Sequence, residues 1–545
     1  MKNKIFFFLM LIVVLTGFFR FWQLANYPVS LSIDEVAVGY NSYSILKTGR
    51  DEFGEFLPLA FRSVGDYKTP VLIYLMTPSI AIFGLNEFGV RFTIALIGVL
   101  TIPVVFFLLR QLTRNSLLSL FTAFSLAISP WHTFFSRMSF DGILGLFFLL
   151  LSVWLFLRAT AKNGQFLWLA GIFFVLSMYS YHAERVFAPM LFLILIVIYG
   201  KELRRTKKAC LVTLLIVIIL SLPLAKMMMG IEGQKRARMT FLAQDENISY
   251  VLHQPGAKLS PLQSVLDSNP VMLGNFWAKR YLNYWDPSFL FFKGMKFSLP
   301  GAPDSGIFYF FELPLFFVGL WLLLFRQPFV DKRVKILLVL WFLLGPLPAS
   351  LTNNEQHTSR SLIWIPILPL LVGMGGLFLW NLLAKLKPAI RKLIYAGTVI
   401  LILTNIIYVA DLYFVHYSIQ FSEHWDYGLK EASIFAWEHE KEYKEIVVDN
   451  VFGTLGPYSV GTPHLYLLFY GKYDPATLQK ERGSNSDDFG KFKFRTIYWP
   501  DDRKSKNTLF IGSPWRLPLK DLEESQILKK IYFKNNQLGF LVVKT

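Results

Sequence analysis

Two groups of ionisable residues interrupt the apolar N-terminal part of the chain. Asp34 and Glu35 follow its first apolar run, and Lys68 stands two residues before Pro70, which opens another apolar run. Charged side chains beside runs that can enter a membrane are costly, so their presence predicts function. A carboxylate within reach of a hydroxyl proton can act as a general base. A cation beside a helix N-terminus favours an anion, and phosphate is the natural candidate.

Both groups also have a structural interpretation. Ser32 and Glu35 have the Ser-x-x-Glu spacing of a capping box, which would explain Glu35 and leave Asp34 unexplained. Asp66 is favoured near a helix start by the helix dipole. Lys68 could simply extend its ammonium group to the membrane interface. The sequence leaves both interpretations open.

Shorter segments between later apolar runs carry the remaining candidates. Arg137 and Asp141 are four residues apart and could pair on one helix face, but Asp141 adjoins an unbroken apolar run. Arginine is suited to bidentate contact with phosphate. Two further loops hold polar candidates, which are Tyr181, His182, Arg185, His357 and Arg360.

The composition indicates which elements must position these residues. Of 545 residues, 54% are hydrophobic and 17% are charged, and the net charge is +18. A soluble protein carries about 25% charged residues, so an ordinary cytosolic enzyme and a disordered chain are excluded. Such apolarity beside a positive charge is typical of a membrane protein with Lys and Arg on its cytoplasmic side, and it argues against a nucleic-acid partner. The single Cys210 excludes an intramolecular disulfide.

Eleven segments are long and apolar enough to approach the roughly 20 residues of a bilayer-spanning helix. They are 5–23, 90–109, 115–135, 141–157, 165–180, 187–200, 209–225, 306–325, 336–352, 361–383 and 393–412. The stretch 70–83 is shorter and contains two prolines, so it could be a short span or an interfacial helix. A crossing there would turn the later Lys and Arg clusters outward, so we predict a juxtamembrane helix on the outer face. The predicted fold is therefore an all-α polytopic membrane protein with about eleven transmembrane helices.

The distribution of charge predicts the orientation. The segments 1–4, 110–114, 158–164, 201–208, 326–335 and 384–392 contain nineteen Lys and Arg, against the two acids Glu202 and Asp331. By the positive-inside rule these segments and the N-terminus are cytoplasmic. Three long segments, 24–89, 226–305 and 413–545, then lie outside the cytoplasm, together with the candidate site.

The C-terminal segment differs in character from the rest. It combines a polar helix pattern at 427–442 with short β-like runs at 445–448, 496–498, 509–511 and 540–543. This mixture predicts a small extracytoplasmic α/β domain over 416–545, after a membrane domain over 1–415.

At these residues the sequence resembles the GT-C superfamily of membrane glycosyltransferases, especially its family 39, with protein O-mannosyltransferases and the lipid A aminoarabinose transferase. Asp34-Glu35 with Tyr40 resembles the family's Asp-Glu motif, and Ser136-Arg137 with Asp141 its Ser-Arg…Asp motif. Tyr67-Lys68-Thr69-Pro70 resembles its Lys-Pro-Pro or His-Pro-Pro motif, with Thr69 in place of a proline. The segments 281–291 and 357–366 are similar to segments of bacterial members, and the resemblance covers about residues 1–415.

The resemblance implies an inverting glycosyltransferase that moves a sugar from a polyprenyl-phosphate donor to an acceptor on the outer face. The acceptor would be a protein, a lipid or a glycan, within a membrane-lipid environment. It implies catalytic roles for Asp34, Glu35 and Asp141, and donor-phosphate binding by Lys68, Arg137, Arg185 and Arg360. Substrate binding would fall to Tyr40, Asp66, Tyr67, Tyr181, His182 and His357.

A metal cofactor and a different function both remain open on the sequence. Asp34 and Glu35 could bind a divalent cation, Mg²⁺ or Mn²⁺, although nothing in the sequence requires one. The alternative function is a transporter or flippase of lipid-linked glycans. A transporter would need polar residues at the membrane midplane, whereas the candidates here adjoin the span ends.

Overall fold

The computed structural model describes residues 2–242, 268–294, 305–326, 330–353, 356–481 and 487–545. The chain folds into two compact units. The first unit comprises Met1–Trp22, Ile94–Ser136 and Phe140–Ala410, and the second comprises Gln23–Thr93, Arg137–Ser139 and Asp411–Thr545.

The first unit is built from helices. Its α-helices are Lys2–Phe21, the greater part of Glu87–Thr113, Ser116–Ile128, Pro130–Phe135, Asp141–Ala161, Leu167–Ser180, His182–Ile198, Gly200–Arg204, Lys207–Met229, Ile231–Thr240, Asn269–Asn283, Glu312–Trp321, Lys332–Leu344, Leu347–Ser350, Ile367–Leu383 and Pro388–Asp411. Shorter π or 3-10 turns are Ser288–Phe292, Leu322–Arg326 and Leu362–Trp364.

Every predicted span coincides with at least one of these helices. In the described part of the chain, seven helices are long and apolar enough to cross a membrane. Two predicted spans correspond to the shorter apolar helices Ser116–Ile128 and Leu167–Ser180. The predicted span 115–135 is divided at Ser129, because Pro130 cannot continue the preceding helix. The predicted class, a multi-pass helical membrane protein, is confirmed, while the orientation of the termini stays a prediction.

Helix Ile367–Leu383 organises the packing of the first unit. It packs against Glu312–Trp321 and Ser116–Ile128. A Cβ atom at Gly319 would collide with the backbone of Leu371, and one at Gly375 would collide with that of Leu315. Glycine at both positions therefore allows the two backbones to approach, as small residues commonly do between membrane helices.

The second unit combines helices with strands. Its helices are Ile33–Thr48, Pro70–Phe83, Ser418–Gln420, Leu429–Glu438, Pro463–Tyr470, Pro475–Glu481 and Trp499–Asp502, with the π turn Leu412–Tyr417 and the 3-10 turns Leu519–Asp521 and Glu524–Gln526. Two short antiparallel hairpins pair Phe61–Arg62 with Tyr67–Lys68 and Val451–Phe452 with Ser459–Val460. A five-stranded sheet has the order Phe492–Phe494, Glu445–Val448, Thr508–Gly512, Leu538–Lys544, Ile527–Tyr532.

This sheet confirms the predicted C-terminal α/β region. Its first three strands are parallel and its last two are joined antiparallel. The predicted strand at 496–498 is wrong. The Ile497 N–H donates to Asp449 Oδ2 at 2.8 Å instead of to a neighbouring strand, and Tyr498 precedes the helical turn Trp499–Asp502.

The C-terminal segment packs against the helix that carries Asp34. Helix Ile33–Thr48 contacts both Pro463–Tyr470 and Pro475–Glu481. The Tyr40 hydroxyl donates to the Tyr473 carbonyl at 2.9 Å, and the Tyr466 hydroxyl donates to the Leu31 carbonyl at 2.9 Å. Residues 23–93 and 411–545 thus pack in one unit, and the division into a membrane domain over 1–415 and an extracytoplasmic domain over 416–545 stays a prediction.

A buried carboxyl in this unit should give it a distinctive pH dependence. Asp426 accepts a hydrogen bond from the Tyr466 hydroxyl at 3.0 Å, and burial raises the pKa of its carboxyl from 3.8 to about 7. Its stabilising contribution is therefore complete below about pH 4 and is lost as the pH rises through 7. We expect the Tm of the wild type to fall from pH 5 to pH 7.5 relative to that of Asp426→Asn.

Thermal unfolding in detergent over this pH range checks the expectation. Asparagine tolerates the positive φ of 50° at position 426, so the variant should fold. Asp501→Asn, at an exposed position, is the matched control. Curves of identical shape for the wild type and Asp426→Asn would contradict the assignment.

Candidate active site

Asp34 and Lys68 form the exposed part of the candidate site. Asp34 is the second residue of helix Ile33–Thr48, and Lys68 ends the hairpin strand that leads into helix Pro70–Phe83. Lys68 Nζ lies 2.6 Å from Asp34 Oδ1. The Asp34 side chain is 68% exposed and that of Lys68 is 21% exposed. A carboxylate that a substrate can reach therefore stands beside an ammonium group.

Glu35 is the buried counterpart of Asp34. Arg91 Nε donates to its Oε1 at 3.0 Å, and both side chains are 0% exposed. The backbone N–H groups of Ser32 and Ser139 also donate to this carboxylate, each at 3.0 Å. The predicted capping box is confirmed, since Glu35 N–H donates back to Ser32 Oγ at 3.3 Å. Glu35 fixes the start of the helix and so fixes the position of Asp34.

Arg91 also binds the backbone of the loop that precedes this helix. Its guanidinium donates to the carbonyls of Leu24 at 3.1 Å and Pro28 at 2.9 Å, and also to that of Ser30. Sequence reasoning assigned no role to Arg91. The available signal was a charged residue at the start of an apolar run, where an unpaired charge would be costly.

Arg137 also lies in the second unit and is fully buried. Its Nη2 donates to the carbonyls of Gln23 at 3.4 Å and Tyr27 at 3.1 Å. Its guanidinium carbon stands 5.8 Å from the ring centroid of Tyr413 and 5.2 Å from that of Phe414. These contacts hold backbone and aromatic groups together, and donor-phosphate binding by Arg137 stays a prediction.

Three predicted substrate-binding residues lie on the same helix and hairpin as Asp34 and Lys68. Tyr40 is buried by its contact with the Tyr473 carbonyl. Asp66 is buried in the hairpin turn, where its carbonyl accepts from Ser63 N–H at 2.9 Å, and Tyr67 is half-buried on the following strand. Tyr40 and Asp66 therefore shape the platform under Asp34 and Lys68, and their contact with substrate stays a prediction.

The other predicted residues belong to the first unit and several of them meet there. The Tyr181 hydroxyl donates to Ser359 Oγ at 3.5 Å, and Ser359 Oγ lies 2.7 Å from His357 Nδ1. Burial raises the pKa of the Tyr181 hydroxyl, the charge of Asp141 adds to that rise, and the charge of Arg360 opposes it. Tyr181 consequently stays protonated and able to donate, among groups that the sequence had selected separately.

Helix His182–Ile198 contributes the remaining residues of this group. His182 is its first residue, and Arg185 Nε donates to the Met178 carbonyl at 3.0 Å. Glu184 is fully buried, and neither of its carboxylate oxygens has a hydrogen-bond partner within the described ranges. Sequence reasoning gave Glu184 no role, although an acid beside the apolar run that follows it was the usable signal. The roles of Asp141, Tyr181, His182, Arg185, His357 and Arg360 stay predictions.

The carboxylates of Asp34 and Glu35 do not suit a divalent cation. Their oxygens already face Lys68 and Arg91 at 2.6 and 3.0 Å. Over the residues that the structure describes, no group of three or more His, Cys, Asp or Glu side chains could hold a metal ion. Dependence on Mg²⁺ or Mn²⁺ stays a prediction, and the chemistry proposed for this site uses neither.

Comparison with known proteins adds a family match over part of the chain. Residues 67–225, which contain Lys68, Arg137 and Asp141, match the family model described as dolichyl-phosphate-mannose-protein mannosyltransferase. An uncharacterized protein of Aquifex aeolicus (strain VF5) is 31% identical over 121 residues, which are 22% of this chain and 24% of that protein. The chain thus aligns with about a quarter of that relative's length.

Solved structures resemble this chain to different degrees. ArnT from Cupriavidus metallidurans, in its structure bound to undecaprenyl phosphate, has a TM-score of 0.53 and 12% identity, with 99% of this chain and 98% of that chain covered. The archaeal oligosaccharyltransferase AglB from Archaeoglobus fulgidus, in complex with an inhibitory peptide and a dolichol-phosphate, has a TM-score of 0.49 and 15% identity, with 82% and 62% covered.

The resemblance inferred from the sequence is confirmed. The chain shares the fold of the ArnT structures, and residues 67–225 match the model of the dolichyl-phosphate-mannose-protein mannosyltransferase family.

Proposed function

We propose that this protein is an inverting glycosyltransferase that moves a sugar from a polyprenyl-phosphate donor to an acceptor hydroxyl on the outer face of the membrane. The observation that carries the proposal is the pair formed by Asp34 and Lys68. An exposed carboxylate and an ammonium group 2.6 Å apart supply a base and a partner for phosphate at one place. The match of residues 67–225 to a mannosyltransferase family supports the same reaction class.

The reaction is a single displacement at the anomeric carbon. The acceptor oxygen attacks that carbon, the bond from carbon to the phosphate oxygen breaks, and polyprenyl phosphate leaves with the bonding electrons. Asp34 takes the proton of the acceptor hydroxyl. Lys68 compensates the negative charge that grows on the departing phosphate. Attack from the face opposite the phosphate inverts the anomeric configuration.

The buried groups around Asp34 explain how a reactive carboxylate is held in place. Glu35 is fixed by Arg91, Ser32 and Ser139, so the first helical turn cannot shift without breaking a fully buried ion pair. Catalytic groups need placement to a fraction of an ångström, and supporting contacts of this kind provide it. Glu35 is thereby proposed as a positioning residue and Asp34 as the base.

The partners proposed are a polyprenyl-phosphate sugar and an acceptor that is a protein, a lipid or a glycan. The shared fold with ArnT, whose structure contains undecaprenyl phosphate, supports a lipid-phosphate donor.

Replacing Lys68 should impair donor binding and turnover together. We expect Lys68→Gln to lower kcat/KM for the donor about 100-fold, the scale on which loss of one charge-stabilising donor acts. The measurement is steady-state transfer with purified protein. Lys47→Gln, at the other end of helix Ile33–Thr48, is the control and should keep wild-type kinetics. Equal kinetics for both variants would remove Lys68 from the mechanism.

The reaction in the cell can be tested by mass spectrometry of lipid-linked sugars and glycans in cells that lack this protein. We expect one polyprenyl-phosphate sugar to accumulate and one glycan to lose that sugar. The wild-type gene should restore both, and the Asp34→Asn gene should restore neither. Unchanged lipids and glycans in the deletion strain would refute the proposed function.

A further inference from the structure

A groove in the first unit has no part in the chemistry described above. It encloses about 940 Å³, a volume in the range of about 300–1,000 Å³ typical of ligand sites. Helix Leu167–Ser180 forms its floor, and helices His182–Ile198 and Lys207–Met229 form its walls. It lies toward the helix ends that the charge pattern predicts to be cytoplasmic.

The spacing of its residues makes the groove apolar and open to the bilayer. Leu167, Ala170, Gly171 and Phe174 lie on one face of the floor helix. Gly171 lets helix Lys207–Met229 pack closely against the floor helix, because a Cβ atom there would lie 2.8 Å from Thr213 Cγ2 and 3.0 Å from Val217 Cγ2. The wall residue Val197 is 75% exposed, as expected of a side chain that contacts lipid.

One end of the groove is basic. Arg204 and Lys207 line it there, and both residues are exposed. The acid in the same turn, Glu202, is already paired with Arg333 at 2.7 Å. Across the described ranges, no carboxylate lies within ion-pair distance of Arg204 or Lys207. An apolar slot therefore ends at two positive charges that form no ion pair with a carboxylate of the described residues.

We propose that this groove binds an anionic membrane phospholipid, with an acyl chain in the slot and the phosphate headgroup at Arg204 and Lys207. The two cations complement a net negative headgroup and give no advantage to a zwitterionic one. Basic pockets between membrane helices on the cytoplasmic side have the chemistry that recognises anionic lipid headgroups. The proposal does not depend on glycosyl transfer, so each can fail without the other.

Cys210 provides a native probe of occupancy. It is the single cysteine of the chain, lines the groove and is half-buried. The full-length protein in lipid-free micelles is treated with N-ethylmaleimide after addition of phosphatidylglycerol or phosphatidylcholine. Native mass spectrometry of the same samples counts bound lipid directly. We expect phosphatidylglycerol to slow alkylation of Cys210 and to remain bound, and phosphatidylcholine to do neither.

Paired charge variants separate recognition from general electrostatics. Arg204→Gln with Lys207→Gln should weaken phosphatidylglycerol binding about 30-fold, because each basic group near a membrane surface contributes about fivefold. Lys201→Gln with Lys208→Gln removes the same charge outside the groove and should leave binding unchanged. Equal binding of both lipids, an equal loss in both double variants, or binding of polyprenyl phosphate alone would each overturn the proposal.

Discussion

Asp34→Asn should reduce sugar transfer by about 100- to 10,000-fold, the range over which a positioned general base contributes. Asparagine keeps the shape of the side chain and removes its capacity to take a proton. The fold should persist, because the Asp34 side chain is 68% exposed and an exposed ion pair contributes at most about 1 kcal/mol. Turnover with a saturating acceptor, measured beside the thermal unfolding of the same preparation, checks both statements.

Two control variants separate the loss of a base at position 34 from the loss of a negative charge elsewhere in the unit. Asp34→Glu keeps a carboxylate and should retain more activity than Asp34→Asn. Asp501→Asn removes an exposed acid elsewhere in the same unit and should behave as the wild type. If Asp34→Asn turned over at the wild-type rate, Asp34 would not be the base.

Arg91→Met should destabilise the second unit by about 3–5 kcal/mol, the cost of leaving one partner of a buried ion pair uncompensated. The carboxylate of Glu35 would then stay buried without its guanidinium partner, and the loop carbonyls at 24, 28 and 30 would lose their donor. We expect a much lower Tm and a lower yield of folded protein in detergent.

A second change should restore part of the loss. Glu35→Gln combined with Arg91→Met removes the buried charge and keeps one amide oxygen, which can accept from Ser32 N–H or from Ser139 N–H, since these two groups donate to different oxygens of Glu35. We expect this double variant to be more stable than Arg91→Met alone. Arg62→Met, at an exposed arginine of the same unit, serves as the control. A single variant Arg91→Met as stable as Arg62→Met would show that the pair does not anchor the site.

The sequence predicted the local features of the site because they depend on neighbouring residues. The capping box of Ser32 and Glu35 and the helix that starts at Pro70 both follow from short-range patterns, and both are present. The apolar runs predicted the helices of the first unit for the same reason. The strand expected at 496–498 failed because a distant side chain, Asp449, takes the Ile497 N–H.

Contacts between distant parts of the chain could not be predicted from these patterns. No periodicity relates Glu35 to Arg91, or Tyr40 to Tyr473, since such pairs form only when the chain folds. The same holds for the link from Tyr181 through Ser359 to His357. Sequence reasoning selected residues by type and position. The structure shows which of these residues are buried in contacts that stabilise the fold and which are exposed.

The central claim is that the protein breaks the bond between a sugar and polyprenyl phosphate. The most direct measurement uses the purified protein in liposomes with a panel of radiolabelled polyprenyl-phosphate sugars and candidate acceptors. We predict that the wild type releases polyprenyl phosphate from one donor and forms a glycoside of inverted configuration, and that Asp34→Asn does neither. An intact donor in every case, with the lipid-linked sugar carried across the bilayer, would contradict a transferase and favour a flippase.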